Sequence, residues 1–128
     1  MCPAPAILVC DDSRSILQAV SMILRLAGYR VLETSDAIEA VGLARREHPA
    51  VILMDVMMPG LSGDVAAGVL HDEPDLSTIP VVLLSALPED ELREHVRSTG
   101  AAGYITKPFR KDDLLKCISR WAPPAKAG

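Results

Sequence analysis

The chain has 128 residues and a formal charge of -4; 49% of it is hydrophobic but only 3% aromatic. That length fits one domain whose core must be built from Val, Ile, Leu, Ala and Met, and the acidic balance argues against sequence-independent nucleic-acid binding, which needs clustered Lys and Arg. No apolar run approaches the ~20 residues needed to cross a bilayer, and the start Met1-Cys2-Pro3-Ala4-Pro5 lacks the basic residues and long apolar stretch of a signal peptide.

Ala6–Cys10 is an apolar run too short for a helix and reads as a strand. Ser15–Ala27 carries Ile16, Val20, Ile23, Leu24 and Ala27 at helical spacing, and Gly28 stops it. Arg30–Thr34 reads as a second strand. Asp36-Ala37-Ile38-Glu39 has the logic of a capping box, with a carboxylate in place of the hydroxyl, and its helix runs to about His48, before Pro49. Val51–Met54 is a continuously apolar strand, the pattern of a strand covered on both faces. Pro59-Gly60-Leu61-Ser62-Gly63 reads as a loop in which Ser62 can cap a helix through about His71, and Asp72–Thr78 as a polar loop.

Pro80–Leu84 is the fourth strand, with proline at its first position. Pro88-Glu89-Asp90-Glu91 places the proline and acids favoured in a first helical turn, and Gly100 ends that helix. Tyr104–Thr106 is a short fifth strand. The last helix puts Leu114, Cys117, Ile118 and Trp121 on one face, and Pro123–Gly128 reads as a tail or the start of a linker. Strand and helix thus alternate throughout, which predicts an α/β, doubly wound parallel sheet with right-handed crossovers and helices on both faces. Ligands of such sheets bind beyond the carboxyl ends of the strands.

The polar residues cluster where that rule places a site. Asp11 and Asp12 follow the first strand, Asp55 the third, Ser85 the fourth and Lys107 the fifth. Adjacent strand residues point to opposite faces, so Asp11 and Asp12 can converge on one ion only because the chain is leaving the strand there. Taken alone, Asp12-Ser13 could merely cap the first helix. An acid after Val51-Ile52-Leu53-Met54 is costly to bury unless paired or metal-bound. Three carboxylates on one edge repel unless a hard cation sits between them, and Mg2+ suits oxygen ligands with several retained waters. Lys107 precedes Pro108 and is pushed into an extended conformation, so its ammonium can reach along the sheet edge to pair Asp55. Together these groups predict a magnesium-dependent site that accepts a phosphoryl group on Asp55, since carboxylates are nucleophiles in phosphoryl transfer. Tyr104 is either a core-edge aromatic or a ring that moves as Ser85 shifts.

The three cysteines are widely spaced, without metal-ligand spacing, and read as reduced thiols in a cytoplasmic setting, with Cys10 and Cys117 as small buried hydrophobes. His48, His71 and His95 share no spacing with one another or with a cysteine and read as surface residues, with no zinc site expected.

In combination, Asp11-Asp12, Asp55-Val56-Met57-Met58-Pro59-Gly60, Ser85-Ala86, Tyr104 and Lys107-Pro108-Phe109 resemble the receiver domain of bacterial two-component response regulators, over roughly Ile7 to Trp121. That resemblance implies a flavodoxin-like sheet of strand order 2-1-3-4-5 with five helices, a receiver domain over residues 1–121 and a tail over 122–128. It implies phosphoryl transfer to Asp55 from the phosphohistidine of a sensor histidine kinase or histidine phosphotransfer protein, then action through an output partner or effector domain, with no direct binding to nucleic acid or membrane. By the same resemblance Asp12, Asp55 and the Met57 backbone carbonyl hold Mg2+ (Mn2+ can substitute) with Asp11 acting mainly through water. Ser85 and Lys107 then contact the phosphoryl group, and Ser85 and Tyr104 form the switch. Where relatives carry an acid or amide two residues after the hydroxyl, this chain has Leu87. Such a domain is a signalling module that can lose its own phosphoryl group, not a dedicated turnover enzyme. A phosphorylation-independent pseudo-receiver is the alternative, but such domains typically lose an acid or the lysine, and all are present. A haloacid-dehalogenase-type phosphatase needs two acids spaced two residues apart after the first strand, which Cys10-Asp11-Asp12-Ser13 does not offer.

Overall fold

A computed structural model of the chain describes residues 5–56 and 63–122, the side chains of 63–67 excepted. Five parallel strands form one sheet: β1 (Ala6–Cys10), β2 (Arg30–Thr34), β3 (Val51–Asp55), β4 (Val81–Ser85) and β5 (Gly103–Thr106), in the order β2-β1-β3-β4-β5. The helices between and after them are α1 (Arg14–Leu26), α2 (Ala37–Glu47), α3 (Gly63–Asp72), α4 (Glu89–Thr99) and α5 (Lys111–Ile118). The alternating elements and the strand order are those expected.

β1, β3 and β4 are buried along their whole length, and successive residues supply opposite faces. Leu8, Cys10, Ile52, Met54, Val81 and Leu83 pack with Ala40 and Ala44 of α2, Leu70 of α3 and Leu92 of α4. Ile7, Val9, Val51, Leu53, Val82 and Leu84 pack with Val20 and Leu24 of α1 and Leu114 and Ile118 of α5. Each aliphatic side chain removed from water in this way contributes about 1.5–3 kcal/mol. These two layers explain why the central strands are uniformly apolar.

Local chemistry departs from expectation at four places. Asp36 caps α2 by accepting from the N–H groups of Ile38 and Glu39, but Glu39 does not close the box; its carboxylate accepts from the Thr34 hydroxyl at 2.6 Å, and Asp36 donates its own N–H to Thr34 Oγ1. Trp121 lies beyond α5, in a turn where its N–H bonds Ile118 O, although it still packs against the α1–α5 layer. Cys117 is half-buried, whereas Cys10 is fully buried; His48 and His71 are exposed but His95 is half-buried. Leu76, in the segment read as a polar loop, is a core residue, held in turns by bonds from Leu76 N and Ser77 N to Glu73 O. Gly63 begins α3 instead of ending the preceding loop, while the Ser62 cap and the 123–128 tail lie outside the described residues. Among the described residues no helix is long and apolar enough to cross a membrane.

Candidate metal and phosphoryl site

Strand register carries the polar residues to one edge. Cys10 pairs with Met54, so Asp11 lies level with Asp55; Asp55 pairs with Leu84, so Ser85 lies one step further; Ser85 pairs with Thr106, so Lys107 lies one step beyond that. The two-residue alternation assigns their faces. Asp11 follows Ile7 and Val9, Asp55 follows Val51 and Leu53, and Lys107 follows Ile105, all on the α1–α5 side. Ser85 follows Val81 and Leu83, and Tyr104 packs against that same α2–α3–α4 layer. Two carboxylates and an amine therefore share one face, while the hydroxyl and the aromatic share the other.

The carboxylate oxygens of Asp11, Asp12 and Asp55 lie within 4.8 Å of one another. Asp11 is fully buried and Asp55 is 3% exposed, while Asp12 opens to solvent. The chain leaves β1 at this point: Asp11 Oδ1 accepts from Ser13 N at 2.9 Å, and Ser13 caps α1 by accepting from Ile16 N. Capping thus falls to Ser13, which leaves the Asp12 carboxylate within the cluster. All-oxygen ligands with one side open to water fit a hard divalent cation that keeps part of its hydration shell.

β5 is two strand spacings from β3, roughly 10 Å, so only a long side chain starting from its end reaches the acids. Lys107 does so, with its Nζ 2.8 Å from Asp11 Oδ2 and 3.6 Å from Asp55 Oδ1. The expected pairing with Asp55 is therefore the longer contact, and the hydrogen bond goes to Asp11. The reason is position: Asp11 is level with Asp55, and its second oxygen is already turned to the helix cap, which aims Oδ2 into the cleft. The Lys107–Pro108 peptide is cis, and Lys107 N donates to Ser85 O at 2.8 Å. Ser85 is fully buried; its Oγ accepts from Leu87 N at 3.1 Å. Cys10, beneath the cluster, registers the local field: burial first, then Asp11 and Asp55, push its thiol up to about 12. It stays protonated at neutral pH, a buried apolar filler with no access to metal chemistry.

Asp11, Asp12, Ser13, Asp55, Ser85, Leu87 and Lys107 line one cleft of about 410 Å³. Every site residue expected from the sequence converges here except Tyr104, which sits on the neighbouring α4 side, and Met57, which lies outside the described residues. Arg93 was not foreseen. Its Nε donates to the Tyr104 hydroxyl at 3.2 Å and its terminal nitrogen to Glu89 at 2.6 Å. The Glu89/Arg93 spacing of one helical turn was a visible signal; the approach of Tyr104 was not, since it depends on how α4 packs on β5.

The comparisons agree with this geometry. A family model described as the response regulator receiver domain matches residues 7–119. Protein PilH of Pseudomonas aeruginosa is 35% identical, across 88% of this chain and 93% of its own. The solved structure of the Vibrio cholerae chemotaxis protein CheY4 superposes with a TM-score of 0.86 at 32% identity, covering 92% of this chain and 98% of that one. The receiver domain of a Pseudomonas aeruginosa sensor histidine kinase, solved with a magnesium ion coordinated in its active site cleft, superposes with a TM-score of 0.85 at 30% identity, covering 92% and 97%. Fold, acidic cluster and sequence agree: the chain belongs to the response regulator receiver domain family of two-component systems.

Proposed function

We propose that this domain is a phosphorylation-switched signalling module. Asp55 accepts a phosphoryl group from the phosphohistidine of a sensor histidine kinase or histidine phosphotransfer protein, and the face around α4 and β5 then changes its affinity for an output partner. The observation that supports this best is the juxtaposition of three carboxylates within 4.8 Å of one another with a lysine 2.8 Å from one and 3.6 Å from another.

Mg2+ held by Asp11, Asp12 and Asp55, with the Met57 carbonyl, would neutralise the carboxylates and the incoming phosphoryl charge. Asp55 supplies the nucleophilic oxygen; it ends a rigid, fully buried strand, which fixes its aim for in-line attack. Lys107 offsets charge that develops on a phosphoryl oxygen. Ser85 donates its hydroxyl proton to another such oxygen. Because Ser85 Oγ already accepts from Leu87 N, a turn of the hydroxyl toward the site draws on the backbone that leads into α4. That couples charge at Asp55 to the surface bearing Tyr104. Residues 1–121 constitute the receiver unit and 122–128 a tail or linker; the module acts in the cytoplasm and is not a dedicated turnover enzyme.

Incubation with Mg2+ and acetyl phosphate, read by intact mass, tests this reading. One phosphoryl mass is expected on the parent and none on Asp55→Asn. Equal labelling of the variant would overturn the assignment, and an unlabelled parent that binds Mg2+ would favour the phosphorylation-independent module.

A further inference from the structure

The Tyr104 ring is half-buried against the α2–α3–α4 layer, and its hydroxyl meets a guanidinium at the surface. Arg93 holds two acceptors at once: Nε donates to Tyr104 and a terminal nitrogen to Glu89. A planar guanidinium fixes the angle between its donors, so it satisfies both partners only while they keep their spacing. Glu89 is the first residue of α4, two residues after Leu87, whose N–H is bonded to the buried Ser85 hydroxyl. A continuous chain thus runs from Ser85 Oγ through Leu87, Pro88 and Glu89 to Arg93 and Tyr104.

We infer that Arg93 is a latch that holds Tyr104 with its hydroxyl at the surface, and that displacement of the Ser85–Glu89 segment releases it. The inference rests on the proposed function and names the residue that sets the threshold of its switch. When Ser85 turns toward a phosphoryl oxygen, Leu87 N follows its acceptor, Pro88 with its fixed φ carries the shift onward, and Glu89 moves relative to β5. The fork of Arg93 then keeps Glu89 and gives up Tyr104. Before phosphorylation the same contacts oppose the inward ring, so the latch biases the resting population toward the unswitched arrangement. The Glu89–Arg93 pair is solvent-exposed, so the bias is modest, about two- to five-fold in the switching equilibrium.

The chain contains two tyrosines, so ring-13C tyrosine labelling reports on Tyr104 directly. The buried Tyr29, which donates to Ala122 O beside the opposite edge strand, serves as an internal reference. Beryllofluoride is titrated in saturating Mg2+ into the parent, Arg93→Ala, Tyr104→Phe and the double variant, with half-saturation read from amides near Asp55. In Arg93→Ala the Tyr104 resonances should lie part-way toward their beryllofluoride-saturated position before titration, Tyr29 should stay in place, and half-saturation should fall about two- to five-fold. In the Tyr104→Phe background, Arg93→Ala should change nothing. The sign is informative, because removing a cation by charge alone would weaken binding of an anion. Unchanged or weaker binding in Arg93→Ala, or a fall that persists in the Tyr104→Phe background, overturns the latch. If amides near Asp55 respond in the parent while the Tyr104 ring does not, the latch and the switch role of Tyr104 both fall, with Asp55 retained. If neither responds, the phosphoryl-acceptor reading itself fails.

Discussion

Lys107→Met is the most informative single change at the cleft, because it keeps the aliphatic stem and removes only the charge. The ammonium sits 2.8 Å from the fully buried Asp11 and 3.6 Å from Asp55, and its side chain is 18% exposed. Removing one partner from a fully buried pair costs about 3–5 kcal/mol. Solvent reaches this cluster through Asp12 and through the exposed part of Lys107, so about 2–3 kcal/mol is expected here. For a domain of this size, that lowers the midpoint of thermal unfolding in chelator by roughly 6–15 °C. Metal should reverse the loss. A unit charge and a divalent ion ~5 Å apart repel by about 1.7 kcal/mol even at the dielectric constant of water, so loss of the amine should raise Mg2+ affinity roughly tenfold. Saturation at a hundred times Kd then adds about 2.7 kcal/mol of stability. The assay is circular-dichroism melting of parent and variant, each in chelator and across a Mg2+ series, with acetyl phosphate labelling in parallel. The variant should melt earlier without metal, gain more than the parent from each Mg2+ addition, and label slowly. Coincident melts in chelator would show that the Lys107–Asp11 contact does not hold the cluster together. A smaller Mg2+ gain in the variant would show that the lysine supports cation binding instead of competing with it.

Asp12→Ala should weaken Mg2+ binding strongly in calorimetric titration while leaving the chelator melt nearly unchanged, since Asp12 is solvent-facing and the α1 cap belongs to Ser13. Leu87→Gln should speed loss of the phosphoryl group from Asp55 by about tenfold, because Leu87 lines the cleft and an amide there can hold a hydrolytic water by one hydrogen bond; loss of label no faster than in the parent would exclude water positioning at this residue. Gly100→Ala should destabilise the fold by about 1–2 kcal/mol, as Gly100 ends α4 at φ +76° and an added Cβ would stand 2.7 Å from the His71 ring; His71→Ala in the same background should recover part of the loss in chemical denaturation.

The extent to which the site was legible in the sequence follows from the kind of force involved. Short apolar runs closed by Asp11-Asp12, Asp55, Ser85 and Lys107 could be read directly, because a parallel α/β sheet forces its strand ends onto one edge whatever the details of packing. The period-two alternation of those runs also implies which residues share a face, although only the observed register shows that Asp11 and Asp55 are level. What local sequence could not decide is the choice between partners of the same chemical type. Lys107 could pair either buried acid, and it bonds Asp11 because the Ser13 N–H occupies the other oxygen of that carboxylate. Glu39 could close a capping box, and it turns to Thr34 at the end of β2, a neighbour brought there by the strand pairing. Tyr104 admitted two readings, and its hydroxyl is claimed by Arg93 because α4 packs across β5. Helix periodicity and turn residues act over a few positions of the chain, so they determined the elements and the line of polar groups at their ends. Hydrogen bonds and ion pairs compete over a few ångströms of space, so only the assembled layers decided which donor met which acceptor.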